Sequence, residues 1–190
     1  MRRGKRRYPN RVRIIGGRWR GTRIDVLEET TLRPTPDRVR ETLFNWLSAW
    51  IAGARCLDLY AGTGVLGLEA LSRGASSACF VERDERLAAA IARRARSLGA
   101  NAEVVCADAM AYLDTAAAAS FDIAFVDPPY ELALSPVLAK LSERGKSGAL
   151  VYAERPAAEE LPAVGGLQWL KHSRAGAVRY GLARVDERSD

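Results

Sequence analysis

"CLDLYAGTGVLGLEAL", Cys56 to Leu71, is the stretch that decides the fold. An apolar run with strand character reaches Tyr60, a glycine turn interrupts it, and a helical apolar pattern starts at once. Gly62, Gly64 and Gly67 satisfy G-x-G-x-x-G. Glu82 closes the next apolar run, 20 residues after Gly62, where an acid that binds a ribose belongs. Strand, turn, helix and acid in this order point to a nucleotide-containing ligand. They fit a nicotinamide or flavin nucleotide, or the adenosine part of S-adenosylmethionine. The structural alternative is a tight strand-to-helix turn with no ligand.

Outward from this stretch, short apolar runs alternate with amphipathic ones. Strands are expected near 55–60, 77–82, 102–106, 121–126, 147–154, 166–172 and 177–185, with helices near 64–73, 84–98, 108–116 and 131–143. Such alternation means a parallel sheet covered on both faces. The chain ends differently: "GLQWLKHS" and "AVRYGLARV" are separated only by Arg174 to Gly176. That spacing makes a hairpin, so the last pair is antiparallel, unlike the six-strand all-parallel dinucleotide fold. Upstream, "VRII" and "TRIDVL" flank "GGRWRG" and predict a hairpin or bulged ribbon. Pro34 and Pro36 then end the extended part. Thr35 is the expected N-cap of a helix that carries Val39, Leu43, Trp46, Leu47 and Trp50 on one face. The Ala-rich "DTAAAAS" at 114–120 suggests no function, and there are no internal repeats.

Charge is distributed unevenly. The chain has 190 residues and a formal net charge of +6. Ten of its 29 basic residues lie before Asp25, where no acid occurs, which leaves 19 against 23 acids in the remainder. A basic arm on a mildly acidic body, with Tyr8 and Trp19 interleaved among the cations, reads as a nucleic-acid arm. A solvated tail is the plain alternative. Cys56, Cys79 and Cys106 are far apart and sit in apolar runs, so each is expected to be a small buried hydrophobe, with neither a zinc site nor a disulfide framework. No apolar h-region follows the basic N-terminus and no run is long enough for a membrane span, so a cytoplasmic protein with no metal and no membrane partner is expected. The single histidine, His172, falls in the terminal hairpin and is expected to be structural.

The acids discriminate between ligands. Asp58 lies four residues before Gly62. A carboxylate there suits a cation better than a pyrophosphate, which wants bare backbone N–H groups at a helix N-terminus. S-adenosylmethionine carries a sulfonium and an ammonium. Asp108, in "VVCADAM", can accept from an adenine amine or simply cap the next helix. The expected cofactor contacts are Asp58, Tyr60, Ala61, Gly62, Thr63, Gly64, Glu82, Arg83, Asp108, Ala109 and Asp127, at the carboxyl ends of the strands.

A second motif gives the chemistry. In "FDIAFVDPPYE", Phe121 to Glu131, two prolines stop a strand just after a carboxylate. The resemblance of this motif to the (D/N/S)-P-P-(Y/F) motif of amino-group methyltransferases implies an exocyclic amine as substrate, which is a poor nucleophile while conjugated to a base. Acceptors aimed at its hydrogens, here Asp127 and the Pro128 carbonyl, free its lone pair. Pro128 and Pro129 stiffen the backbone, Tyr130 can stack on a base taken out of its helix, and Asp127 can take the proton. A strand terminator followed by a helix cap is the plain alternative.

"VDPPY" resembles the (D/N/S)-P-P-(Y/F) motif of amino-group methyltransferases. With "RIIGGRWRGTRIDV", "LRPTPDRVRETLFNWL" and "LDLYAGTGVLGLEALSRGA", nearly the whole chain resembles the RsmD family. The resemblance implies a Rossmann-like class I S-adenosylmethionine-dependent α/β methyltransferase, with a seven-stranded mostly parallel sheet, an antiparallel last strand and an N-terminal hairpin and helix extension. It implies methylation of the N2 amine of one guanine in 16S rRNA, in a whole or partly assembled 30S subunit. Residues 1–35 would be the RNA-binding extension and 36–190 the methyltransferase domain; the resemblance gives no oligomeric state, and since nothing in the sequence demands a dimer a monomer is expected. Arg11, Arg13, Arg18, Trp19, Arg20, Arg33 and Arg38 are the expected RNA contacts. Arg33 and Arg38 can meet phosphate or the cofactor carboxylate, or Arg38 and Arg40 can pair with helix acids such as Glu41. Other readings are a DNA amino-methyltransferase, a protein glutamine methyltransferase, an NAD-dependent oxidoreductase that leaves Asp127–Tyr130 without a task, and a non-catalytic RNA-binding protein.

Overall fold

The computed structural model describes residues 11–26, 35–115 and 121–187. Two short strands, β1 (Arg11–Arg13) and β2 (Arg23–Asp25), pair antiparallel as a ribbon. Helix α1 (Asp37–Trp46) follows. Then β3 (Arg55–Leu59), α2 (Val65–Ser72), β4 (Ser77–Glu82), α3 (Glu85–Ser97), β5 (Ala102–Cys106) and α4 (Ala109–Thr115) alternate. The chain continues through β6 (Ile123–Val126), α5 (Leu134–Arg144) and β7 (Leu150–Pro156) to the hairpin β8 (Leu167–Ala175) and β9 (Val178–Val185). Seven strands form one sheet in the order β5-β4-β3-β6-β7-β9-β8. The pairs from β5 to β7 are parallel, and β9 runs antiparallel between β7 and β8. The mostly parallel sheet with a reversed last strand is therefore as expected.

Side-chain alternation along the strands builds two cores, one on each face. Cys56, Phe80, Phe125 and Tyr152 face α1, α2 and the ribbon. Leu57, Val81, Val126 and Val151 face α4 and α5. Helix α2 lies very close to the sheet at Gly67, where a Cβ would come within 2.4 Å of the Phe80 ring. The third glycine of the motif thus serves close helix–sheet packing.

Three local expectations need correction. Thr35 is not the N-cap of α1. Pro36 holds that position without a side-chain cap, because the Thr35 hydroxyl is spent on the buried Glu154 instead. The helix ends at Trp46, so Trp50 lies beyond it and is exposed. Of the cysteines only Cys56 is buried; Cys79 is half-buried and Cys106 is exposed, since it ends β5 at the open edge of the sheet.

The ribbon is tied to the main body by a buried polar cluster. Val12, Ile14, Ile24 and Val26 join the same core as α1 and α2. The Glu69 carboxylate on α2 accepts from the N–H groups of Ile15 (2.8 Å) and Gly16 (2.7 Å). It also meets Arg73 at 2.7 Å and Arg40 at 3.5 Å. Arg40, fully buried, donates in addition to Asp37 and to the Arg13 carbonyl. Arg40 therefore pairs with Asp37 and Glu69 and not with Glu41. Its side chain points into the α1–α2 interface, which Glu41 on the exposed face of the helix does not border.

Candidate active site

The chain runs outward from β3 to β4 and β5, then returns to β6 on the other side of β3. Loops leaving the carboxyl ends of β3 and β6 consequently diverge, and a crevice opens between them. A cleft of about 460 Å³ lies at this edge, bordered by Tyr60, Glu82, Asp108, Asp127, Tyr130 and Glu154 among others. Tyr60, which leads into the glycine turn, and the proline knuckle at Asp127–Tyr130 border the same cavity.

On the glycine side, Tyr60 adopts a positive φ of 58°, which an L-residue rarely holds outside a constrained site. Glu82 organises the turn. Its Oε2 accepts from the Gly62 N–H at 2.8 Å and its Oε1 from the Asp84 N–H at 2.9 Å. Each carboxylate oxygen has a second lone pair, so Glu82 keeps capacity for ligand hydroxyls. Asp108 is both things considered for it: its Oδ1 accepts from the N–H groups of Met110 and Ala111, capping α4, and the residue also borders the cleft. Arg83 and Ala109 border it too. Ala61, Gly62, Thr63 and Gly64 shape the turn but do not border the cleft.

Asp58 is placed elsewhere. It shares its strand face with Cys56, so it points beneath α2, where its Oδ2 accepts from the Gly67 N–H at 2.9 Å. Burial, with Glu82 nearby, pushes its carboxyl up to about 8. The structure therefore does not bring Asp58 to the cleft wall with the other acids.

On the knuckle side, β6 ends at Val126 and Asp127 sits half-buried at the cleft mouth. Pro128 is buried, while Pro129 and Tyr130 are exposed. Val126 pairs with Ala153, so the next residues, Asp127 and Glu154, lie side by side on neighbouring strands. Glu154 is only 2% exposed. Its Oε1 accepts from the Thr35 hydroxyl and from the Tyr152 hydroxyl, each at 2.8 Å. The Thr35 hydroxyl is also 3.5 Å from Asp127 Oδ2. Burial, then the charges of Glu154 and Asp58, drive the Asp127 carboxyl well above the usual carboxylate range; the Thr35 hydrogen bond and Arg155 pull the other way. Arg155 braces the segment after the prolines. It donates to the carbonyls of Leu132 (2.8 Å) and Tyr130 (3.3 Å) and is anchored by Glu159 at 2.6 Å. The sequence reading missed Thr35, Glu154 and Arg155 as site residues. The available signal was an acid inside the apolar run "LVYAERP", on a strand that follows the knuckle strand.

Among the described residues, six carboxylates border the cleft (Glu82, Asp84, Asp108, Asp127, Glu131 and Glu154) against two guanidinium groups, Arg83 and Arg86. A pyrophosphate would be repelled by such a lining. A ligand with positive charge, hydroxyls and an exocyclic amine matches its acceptors. The donor set therefore fits S-adenosylmethionine better than a dinucleotide.

Of the residues expected to meet RNA, Arg11 pairs with Asp25 and Arg13 with Asp37, both at the surface. Arg18 and Arg20 are exposed in the turn between β1 and β2, and Arg38 is exposed on α1. Trp19 is half-buried against the core, and the Arg18 guanidinium lies 4.1 Å from its ring centre, so its faces are not both open for stacking. Arg33, Tyr8 and the first ten residues lie outside the described residues. His172 is exposed on the edge strand β8 and away from the cleft. Among the described residues no helix is long and apolar enough to cross a membrane.

Comparison with known proteins gives a consistent result. The family model described as "Conserved hypothetical protein 95" matches residues 12–184. "Ribosomal RNA small subunit methyltransferase D" of Escherichia coli K12 is 43% identical over 177 residues, covering 90% of this chain and 88% of that one. The protein of the same name from Haemophilus influenzae is 39% identical over 180 residues, covering 90% and 92%. The solved structure of the Escherichia coli protein yhhF superposes with a TM-score of 0.83 at 39% identity, covering 93% of this chain and 98% of that one.

Proposed function

The chain belongs to the RsmD family of small-subunit ribosomal RNA methyltransferases, and from that premise we propose that it methylates the exocyclic N2 amine of a guanine in 16S rRNA, using S-adenosylmethionine. The single observation that carries the chemistry is the placement of the Asp127–Tyr130 knuckle across one acid-lined cleft from Tyr60, Glu82 and Asp108.

When bound, S-adenosylmethionine supplies an electrophilic methyl group on a positively charged sulfur. Glu82 accepts from the ribose hydroxyls and Asp108 from the adenine amine, while Tyr60 borders the adenosine. Asp127 and the Pro128 carbonyl accept the two hydrogens of the guanine amine, which draws the nitrogen away from conjugation with the ring. The exposed Tyr130 ring stacks on the base and offsets the stacking lost from the RNA. Pro128 and Pro129 fix the backbone, so the acceptors are in place before the substrate arrives, and this orientation supplies several kcal/mol of the barrier reduction. Asp127 then takes the proton that the methylated nitrogen loses.

The basic segment before α1 forms the RNA-binding extension, with Arg18, Arg20 and Arg23 exposed beside the cleft-forming domain. Residues 36–190 carry the catalytic fold. The protein acts as a cytoplasmic monomer on rRNA packaged in the small subunit or an assembly intermediate. The deciding experiment is Asp127→Ala. It should abolish methyl transfer to small-subunit RNA while S-adenosylmethionine still binds; transfer at the wild-type rate would remove Asp127 from the reaction.

A further inference from the structure

Glu154 has no task in the scheme above, yet it is the most thoroughly enclosed acid bordering the cleft. Parallel register puts it beside Asp127. The Thr35 hydroxyl lies between the two carboxylates, 2.8 Å from Glu154 and 3.5 Å from Asp127, and its single proton can serve only one of them at a time. Two close carboxylates cannot both ionise freely, so they titrate as a pair.

We propose that Glu154 is a positioning residue for methyl transfer: bridged by Thr35, the Asp127–Glu154 pair holds one proton in the cofactor-free protein, releases it when the cationic methyl donor binds, and regains it from the amine as that charge is lost. The proposal rests on the cofactor assignment made above. Its charge balance is complete. The N–CH₃ bond forms as the S–CH₃ bond breaks, sulfur keeps that electron pair and becomes a neutral thioether, and the nitrogen turns cationic. The nitrogen then passes one proton to Asp127. With the positive sulfur gone, the pair is again in the environment that favours holding a proton. Acceptor strength at Asp127 is thereby confined to the state in which methyl donor is present.

The charged and titratable surroundings agree with this role. Glu154 from β7 is the negative neighbour of Asp127; Asp58 from β3 keeps its proton up to about pH 8 and adds negative charge only above that, and among the described residues Arg155 from β7 is the positive neighbour. Tyr152 and Tyr180, from β7 and β9, complete the enclosure, and burial, then the charges of Glu154 and Asp127, hold the Tyr152 hydroxyl in its neutral, donating form. Burial and Glu154 together favour a protonated Asp127.

The test compares S-adenosylmethionine with S-adenosylhomocysteine, which differ only by the methyl group and the sulfonium charge. Calorimetric titration of the full chain in two buffers of different ionisation enthalpy, from mildly acidic to neutral pH, counts the protons released on binding. Up to about one more proton should leave with S-adenosylmethionine than with S-adenosylhomocysteine. Glu154→Gln keeps an acceptor for Thr35 and Tyr152 but removes the second charge, so the difference should shrink and its pH window should move to lower pH. Thr35→Val leaves both charges, so the difference should persist. Equal proton counts for the two ligands in the wild type would overturn the proposal even if Glu154→Gln does not fold, and an unchanged difference in Glu154→Gln would also overturn it. Absence of binding by either ligand would instead overturn the cofactor assignment, and this inference with it.

Discussion

Removing the Glu69 carboxylate should loosen the ribbon and destabilise the whole domain. In Glu69→Ala, two backbone N–H groups, at Ile15 and Gly16, lose acceptors at 2.8 and 2.7 Å. Among the described residues the fully buried Arg40 then keeps only the half-exposed Asp37 as a carboxylate partner. Breaking a buried ion pair by deleting one side costs about 3–5 kcal/mol, because the remaining charge stays desolvated. That is a large part of a total stability of about 5–15 kcal/mol. For a chain of this size the midpoint should fall by about 2–4 °C per kcal/mol, so by roughly 6–20 °C. Calorimetry or circular dichroism measures the shift, and limited trypsin digestion should cut sooner at the exposed Arg18 and Arg20. Arg40→Met with Glu69→Leu should recover the part due to the stranded charge but not the part due to the two N–H groups. A loss below about 1 kcal/mol in Glu69→Ala would mean that the cluster does not hold the ribbon, and the reasoning would fail.

Two further outcomes follow from single side chains. Asp58 holds its proton up to about pH 8 when folded, against an ordinary value of 3.8. Folding therefore takes up a proton between those limits, and this contribution to stability falls as pH rises through that window. Asp58→Asn should remove it, so the variant loses less stability than wild type between about pH 5 and pH 8 in denaturant titrations; an equal slope would exclude Asp58 as the source. Arg155→Met should free the Tyr130 and Leu132 carbonyls and misplace the stacking ring, lowering kcat/KM for RNA by about 10- to 100-fold with cofactor affinity little changed. A wild-type kcat/KM would show that the knuckle needs no brace.

The parts of the molecule that were legible in the sequence are those written locally. The strand, turn and helix around Gly62, the proline stop after Asp127 and the terminal hairpin each depend on a few adjacent residues. The parts that were not legible depend on which face a strand turns and on which strand lies next to which. Asp58 looks like a ligand acid in one dimension, but the parity of β3 sends it under α2. Glu154 becomes a neighbour of Asp127 only through the β6–β7 register. Thr35 reaches both across 92 and 119 residues of sequence, and this tertiary bond overrode its helix-capping propensity. Arg40 reads as one more surface cation in "DRVRE", although it is the buried centre of the ribbon's anchor.

The most direct test of the central claim is transfer of a labelled methyl group to small ribosomal subunits from cells lacking this enzyme, with free 16S rRNA and duplex DNA in parallel. The RNA is then digested and the modified nucleoside identified. The account predicts label in N2-methylguanosine at one position of 16S rRNA and none in DNA. Label on another base or another atom, or on DNA alone, would contradict it.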